Sequence, residues 1–156
     1  MRKFYLLILF GITTMLSAQD AVFTATGQRV VVENQDTFVV VEIMAYSNQQ
    51  FKLGSGQLYL NYDTTAFGSN VVENGNFIYT IPETSILGKK IGISPMLNNF
   101  YNDIVVNDNV FNRISFSWQH NYSHACLDSL NVNEYLDVIV TFKFKVKPGY
   151  GGILPT

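Results

Sequence analysis

Along residues 138–147 an apolar row, Val138, Val140, Phe142, Phe144 and Val146, alternates with Ile139, Thr141, Lys143, Lys145 and Lys147, which puts the lysines on one side. A period of two sends the two sets to opposite sides of an extended chain, which predicts a strand with one face in a core and one in water. Pro148 and Gly149 end it. The same pattern predicts a half-buried strand over 56–62, where Leu58, Leu60 and Tyr62 oppose Gln57, Tyr59 and Asn61. A third inward row, Ile114, Phe116 and Trp118, stands against Arg113, Ser115 and Ser117. Residues 38–44 place β-branched side chains on both faces, interrupted only by Glu42, and are predicted as an interior strand covered on both sides. Weaker strands are predicted over 22–26, 29–33, 77–81 and 90–93, punctuated by Gly, Asn, Asp and Pro.

Between the strands the signals are local. Asp63 follows the strand at 56–62 and is predicted to accept a hydrogen bond from an N–H two or three residues on, capping a short turn through Thr64, Thr65 and Ala66. The Asn-rich stretch 95–101 is predicted as a single turn or an irregular loop. Helical periodicity is not sustained over three turns anywhere in 19–156. Seven to nine short strands at this spacing predict an all-β fold, an antiparallel β-sandwich.

The N-terminus departs from this pattern. Met1, Arg2 and Lys3 precede the apolar stretch 4–12, and the small residues Ser17 and Ala18 follow. Basic end, apolar middle and small-residue cleavage site predict a signal peptide over 1–18, and hence a secreted or cell-surface protein. The apolar middle is short of the roughly 20 residues a membrane span needs, so no membrane insertion is expected after cleavage. No cysteine near the cut offers a lipid attachment point. One β-sandwich domain is expected over 19–147, with 148–156 a tail or the start of a linker to further domains.

Loss of Arg2 and Lys3 lowers the basic count from 10 to 8 against 12 acidic residues, a formal charge of −4. Nucleic-acid binding would need clustered basic residues. The one cluster, Lys143, Lys145 and Lys147, occupies alternate strand positions and reads as a solvated strand face. Cys126 is the only cysteine and has no partner within the chain, so packing must hold the fold; burial as a small hydrophobe is the expectation.

Candidate chemistry is sparse. His120, His124 and Cys126 are close in sequence, but His-x-x-x-His shares a face only on a helix, and these read as loop residues rather than metal ligands. Asn102, Asp103, Asn107, Asp108 and Asn109 offer oxygen ligands of the kind calcium takes, without EF-hand spacing. Turn chemistry around a short strand of Ile104, Val105 and Val106 is the expected role. No Gly-x-Ser-x-Gly or phosphate-binding glycine loop is present, and whether Glu33, Asp36, Glu42, Asp63, Glu73 or Glu83 form a glycosidase pair depends on distances the sequence does not contain. No catalytic residue, metal or cofactor is predicted. Aromatic residues make up 14% of the chain, and their faces can stack on sugar rings. Trp118 shares its face with Ile114 and Phe116 and is expected in the core. Tyr101 and Tyr122, expected in loops, are the candidate ligand-binding residues.

The strand at 37–43, the Leu58-Tyr59-Leu60-Asn61-Tyr62-Asp63 strand and turn, the aromatic strand at 114–118 and the closing strand at 139–146 together resemble the cohesin-like β-sandwiches, a family related in fold to some carbohydrate-binding modules. The Tyr-Asp turn at the end of an inward Leu-x-Leu row carries the most of this resemblance. The signal peptide ending Leu16-Ser17-Ala18-Gln19 and the Asn- and Tyr-rich body are similar to surface proteins of Bacteroidetes-type bacteria, which use type IX secretion. The resemblance implies a noncatalytic module that contacts a protein or acts as a spacer in a larger cell-surface protein, or alternatively a carbohydrate-binding module beside a polysaccharide-degrading enzyme. A protein or polysaccharide partner is thus expected, and no nucleic acid.

Overall fold

The strand read at 38–44 becomes the interior of the larger sheet because both of its faces are apolar. In the computed structural model, which describes residues 21–47, 51–88, 90–91, 98–99, 101–120, 131–132 and 137–152, this strand is β2 (Asp36–Ser47). It lies between β1 (Ala21–Glu33) and β11 (Asp137–Lys145), and β5 (Phe77–Thr80) completes a four-stranded sheet in the order β1-β2-β11-β5. A three-stranded sheet, β4-β9-β8, is built from β4 (Gly56–Asn61), β9 (Arg113–His120) and β8 (Tyr101–Val110). Two-residue strands pair as β3 (Phe51–Lys52) with β10 (Asn131–Val132) and as β6 (Lys90–Ile91) with β7 (Asn98–Asn99). Every pairing is antiparallel. The chain is an all-β sandwich.

The inward rows meet as their periodicity requires. Phe116 of β9 contacts Phe142 of β11 edge-on at 5.3 Å between ring centroids, and Phe77 of β5 lies 5.2 Å from Phe142. Both Phe116 and Phe142 are wholly buried, each contributing about 1.5–3 kcal/mol by leaving water. Trp118 is buried as expected, its indole N–H donating to the Gly54 carbonyl at 2.8 Å. In β11 a bulge lies between Val138 and Val140, so Ile139 adds to the inward row instead of opposing it.

Asp63 caps the four-residue helix α1 (Thr64–Phe67). Its Oδ1 accepts from the Thr65 N–H at 2.8 Å and from the Thr65 hydroxyl at 2.7 Å. The turn seats Ala66 in the core and brings Phe67 against Phe144 at 5.1 Å.

Three expectations need correction. The strands expected at 22–26 and 29–33 are one strand, β1, because Gly27 at φ 61° makes a bulge that kinks the ladder without breaking it. That bulge brings Arg29 to Glu42, 2.7 Å apart, so the charge that interrupts β2 is paired across the sheet. The turns expected on either side of Ile104, Val105 and Val106 are absorbed into β8 as two register shifts, with Asp103 at φ 50° in the first. Asn98 and Asn99 pair as a short strand where an irregular loop was expected. The signal peptide expected over 1–18 and residues 153–156 lie outside the described residues. Among the described residues no helix is long and apolar enough to cross a membrane.

Candidate functional site

The outer face of the three-stranded sheet is shaped by what the central strand β9 carries. Its inward positions are large, Ile114, Phe116 and Trp118, while its outward positions between Arg113 and Gln119 are small, Ser115 and Ser117. Register sets these outward residues between larger flanking side chains. Ser115 lies between Tyr59 of β4 and Asn107 of β8, Ser117 between Gln57 and Val105, and Arg113 between Asn61 and Val110. With strands about 4.8 Å apart, a serine between two longer neighbours leaves a hollow.

Two hollows result and they meet at Gln57. The first, about 200 Å³, is lined by Gln57, Tyr59, Asn107, Val110, Arg113 and Ser115. The second, about 600 Å³ and shallower, runs past Ser117 toward Asp103 and Gln119. Tyr59 stands over the first hollow with 60% of its surface exposed. Its hydroxyl donates to Gln57 Oε1 at 2.8 Å, which fixes the ring and leaves the Gln57 amide hydrogens for a ligand. The Arg113 guanidinium lies 5.0 Å from the centre of the Tyr59 ring, within cation–π range. At the β8–β9 hairpin tip beside this hollow, Phe111 is 71% exposed. Beneath, Ser115 is buried and its hydroxyl has no hydrogen-bond partner.

A second concavity opens between β1 and β4, each an edge strand among the described residues. This cleft of about 340 Å³ has an apolar floor that includes Val41, Leu60, Phe67 and Phe144, and a rim that includes Asn61, Asp63 and Tyr150. The Asp63 carboxyl is held below the usual carboxylate range, first by the Thr65 hydroxyl and then by the Thr65 N–H, so the rim carries an anion.

The residues singled out from the sequence fare differently. Tyr101 is not in a loop and is not accessible to a ligand: it opens β8, is buried, and its hydroxyl donates to the Leu53 carbonyl at 2.5 Å. Its ring also meets His120 edge-on at 5.5 Å. His120 is likewise a strand residue, buried at the end of β9, where its backbone N–H donates to Ser55 Oγ at 2.9 Å. With the Trp118 bond to Gly54, these contacts tie the segment between β3 and β4 to the end of the sheet. Tyr122, His124 and Cys126 lie outside the described residues. Asp108 is engaged structurally, its Oδ2 accepting from the Val72 N–H at 2.8 Å. Sequence reasoning missed Tyr59, Arg113 and Asn107 as a group. The small-residue row Ser115 and Ser117 on a strand with a bulky opposite face was the available signal, but the flanking partners come from register.

No protein-family model, curated protein or solved structure matches this chain, so its assignment rests on its own sandwich architecture and on the chemistry of this face.

Proposed function

We propose that this chain is a noncatalytic carbohydrate-binding module, exported by its N-terminal signal, which holds a polysaccharide on the outer face of the β4-β9-β8 sheet. One observation carries this reading: an exposed, hydrogen-bond-fixed Tyr59 ring stands beside a polar hollow walled by Gln57, Asn107, Ser115 and Arg113. A sugar ring presents an apolar face of C–H groups and an edge of hydroxyls. It is suited to one aromatic plane with amide, hydroxyl and guanidinium donors around it. A sheet face open along its length suits a polymer rather than an enclosed small molecule.

The test is affinity electrophoresis of the exported chain in gels containing soluble polysaccharides, with Tyr59→Ala and Ser115→Val alongside. Retention by at least one polysaccharide, weakened by Tyr59→Ala and by filling the hollow through Ser115→Val, is the expected result. Migration unaffected by every polysaccharide rejects the reading.

Protein contact is the second reading, and the cleft between the β1 and β4 edges favours it. Two strand edges, unpaired among the described residues and flanking an apolar floor, suit a partner that supplies an extended segment.

A further inference from the structure

Arg113 distinguishes the smaller hollow from a plain sugar platform. Among the described residues no carboxylate pairs with its guanidinium; the ion pairs there belong to Arg29, Lys143 and Lys145. The Arg113 guanidinium carbon lies 5.0 Å from the centre of the Tyr59 ring, and among the described residues no hydrogen bond or ion pair takes up its N–H donors. Arg113 lines the hollow together with Gln57, Tyr59 and Asn107, over the small, buried side chain of Ser115. A planar guanidinium fork is matched by a planar carboxylate, which accepts two parallel N–H bonds.

We propose that the hollow takes the carboxylate of an acidic sugar, so that the polysaccharide is uronate-bearing, with Arg113 pairing the carboxylate, Asn107 donating beside it, and Tyr59 stacking on the ring. This rests on the glycan-binding reading above. The mature chain has a net charge of −4, which disfavours a polyanion in general, so a preference for one must come from this local cation. Asp103 lines the adjoining hollow, which leaves Arg113, among the described residues, as the one cation lining either hollow.

The experiment uses the exported chain against polygalacturonate, the same polymer fully methyl-esterified, and sulfated dextran, all at physiological salt, where the Debye length of about 8 Å suppresses diffuse attraction. Esterification keeps the sugar and removes the charge. Binding to polygalacturonate about tenfold tighter than to its ester is expected, with Arg113→Gln erasing the difference and Tyr59→Ala weakening both. Arg113→Lys is expected to keep part of the preference, because a point charge lacks the fork. Equal binding to the two pectin forms, or a preference that survives Arg113→Gln, overturns the acidic-sugar assignment while leaving glycan binding standing. Tightest binding to sulfated dextran overturns the carboxylate. Binding to none of these and to no neutral polysaccharide overturns the glycan reading with it.

Discussion

The two sheets turn opposite kinds of charge arrangement to the outside. On the four-stranded sheet the described cations are matched across strands: Lys143 lies 2.6 Å from Glu33, Lys145 2.7 Å from Asp36, and Arg29 2.7 Å from Glu42. Lys143 also covers the Phe38 ring at 5.0 Å, and beneath this layer Phe38 and Val40 are buried although they face outward. On the three-stranded sheet Arg113 rests on Tyr59 with no carboxylate partner among the described residues, beside a serine whose hydroxyl is unmatched. One face satisfies itself, and the other is left with donors to offer. A lysine stem folded over apolar side chains seals a sheet face against partners. A central row of serines between longer neighbours opens one.

The contrast can be broken most severely from the core the faces share. Phe116→Ala removes the ring that joins the sheets and is expected to cost about 3–5 kcal/mol in urea unfolding, erasing both faces together. Gly56→Ala strikes the three-stranded sheet first, because a Cβ there runs into the Trp118 indole. A loss of about 1–3 kcal/mol is expected, with tryptophan fluorescence reporting the displaced ring. Lys143→Ala on the self-matched face is expected to cost no more than about 1 kcal/mol, and the loss should shrink in high salt, since exposed ion pairs are weak and screened.

On the open face, Arg113→Gln is expected to leave unfolding within about 0.5 kcal/mol of the wild type while changing glycan retention. A larger loss of stability would mean that Arg113 serves the fold. The smallest effect is expected at Asp63. Its folded pKa lies below the unfolded one, so its contribution to stability is present above the unfolded value and is lost as pH falls through the folded value. Asp63→Asn should therefore differ from the wild type at neutral pH and converge with it in acid, measured by denaturant unfolding across that range.

Much of the sandwich was legible because strand periodicity and capping are short-range. The rows at Phe142 and Phe144 and at Ile114, Phe116 and Trp118 need only the two-residue repeat of an extended chain, and the Asp63 cap needs only a side chain reaching two residues on. Tyr101 was misread for the complementary reason. Nothing near it in the sequence shows that the Leu53 carbonyl waits 48 positions away for its hydroxyl. The join at Gly27 was hidden as well, since a glycine between two apolar runs marks a turn or a bulge equally, and only pairing with β2 chooses the bulge.

The sequence by itself determined which residues extend, which side of each strand is apolar, and that Trp118 faces inward. Tertiary structure decided which strands are neighbours. That choice sets Tyr59 and Asn107 on either side of Ser115 and, among the described residues, leaves Arg113 without the acidic cross-strand partners that Lys143 and Lys145 have. The reason is physical: a strand's own pattern fixes its two faces, whereas a surface hollow is made by side chains from three strands, and their register is settled only when the sheets pack.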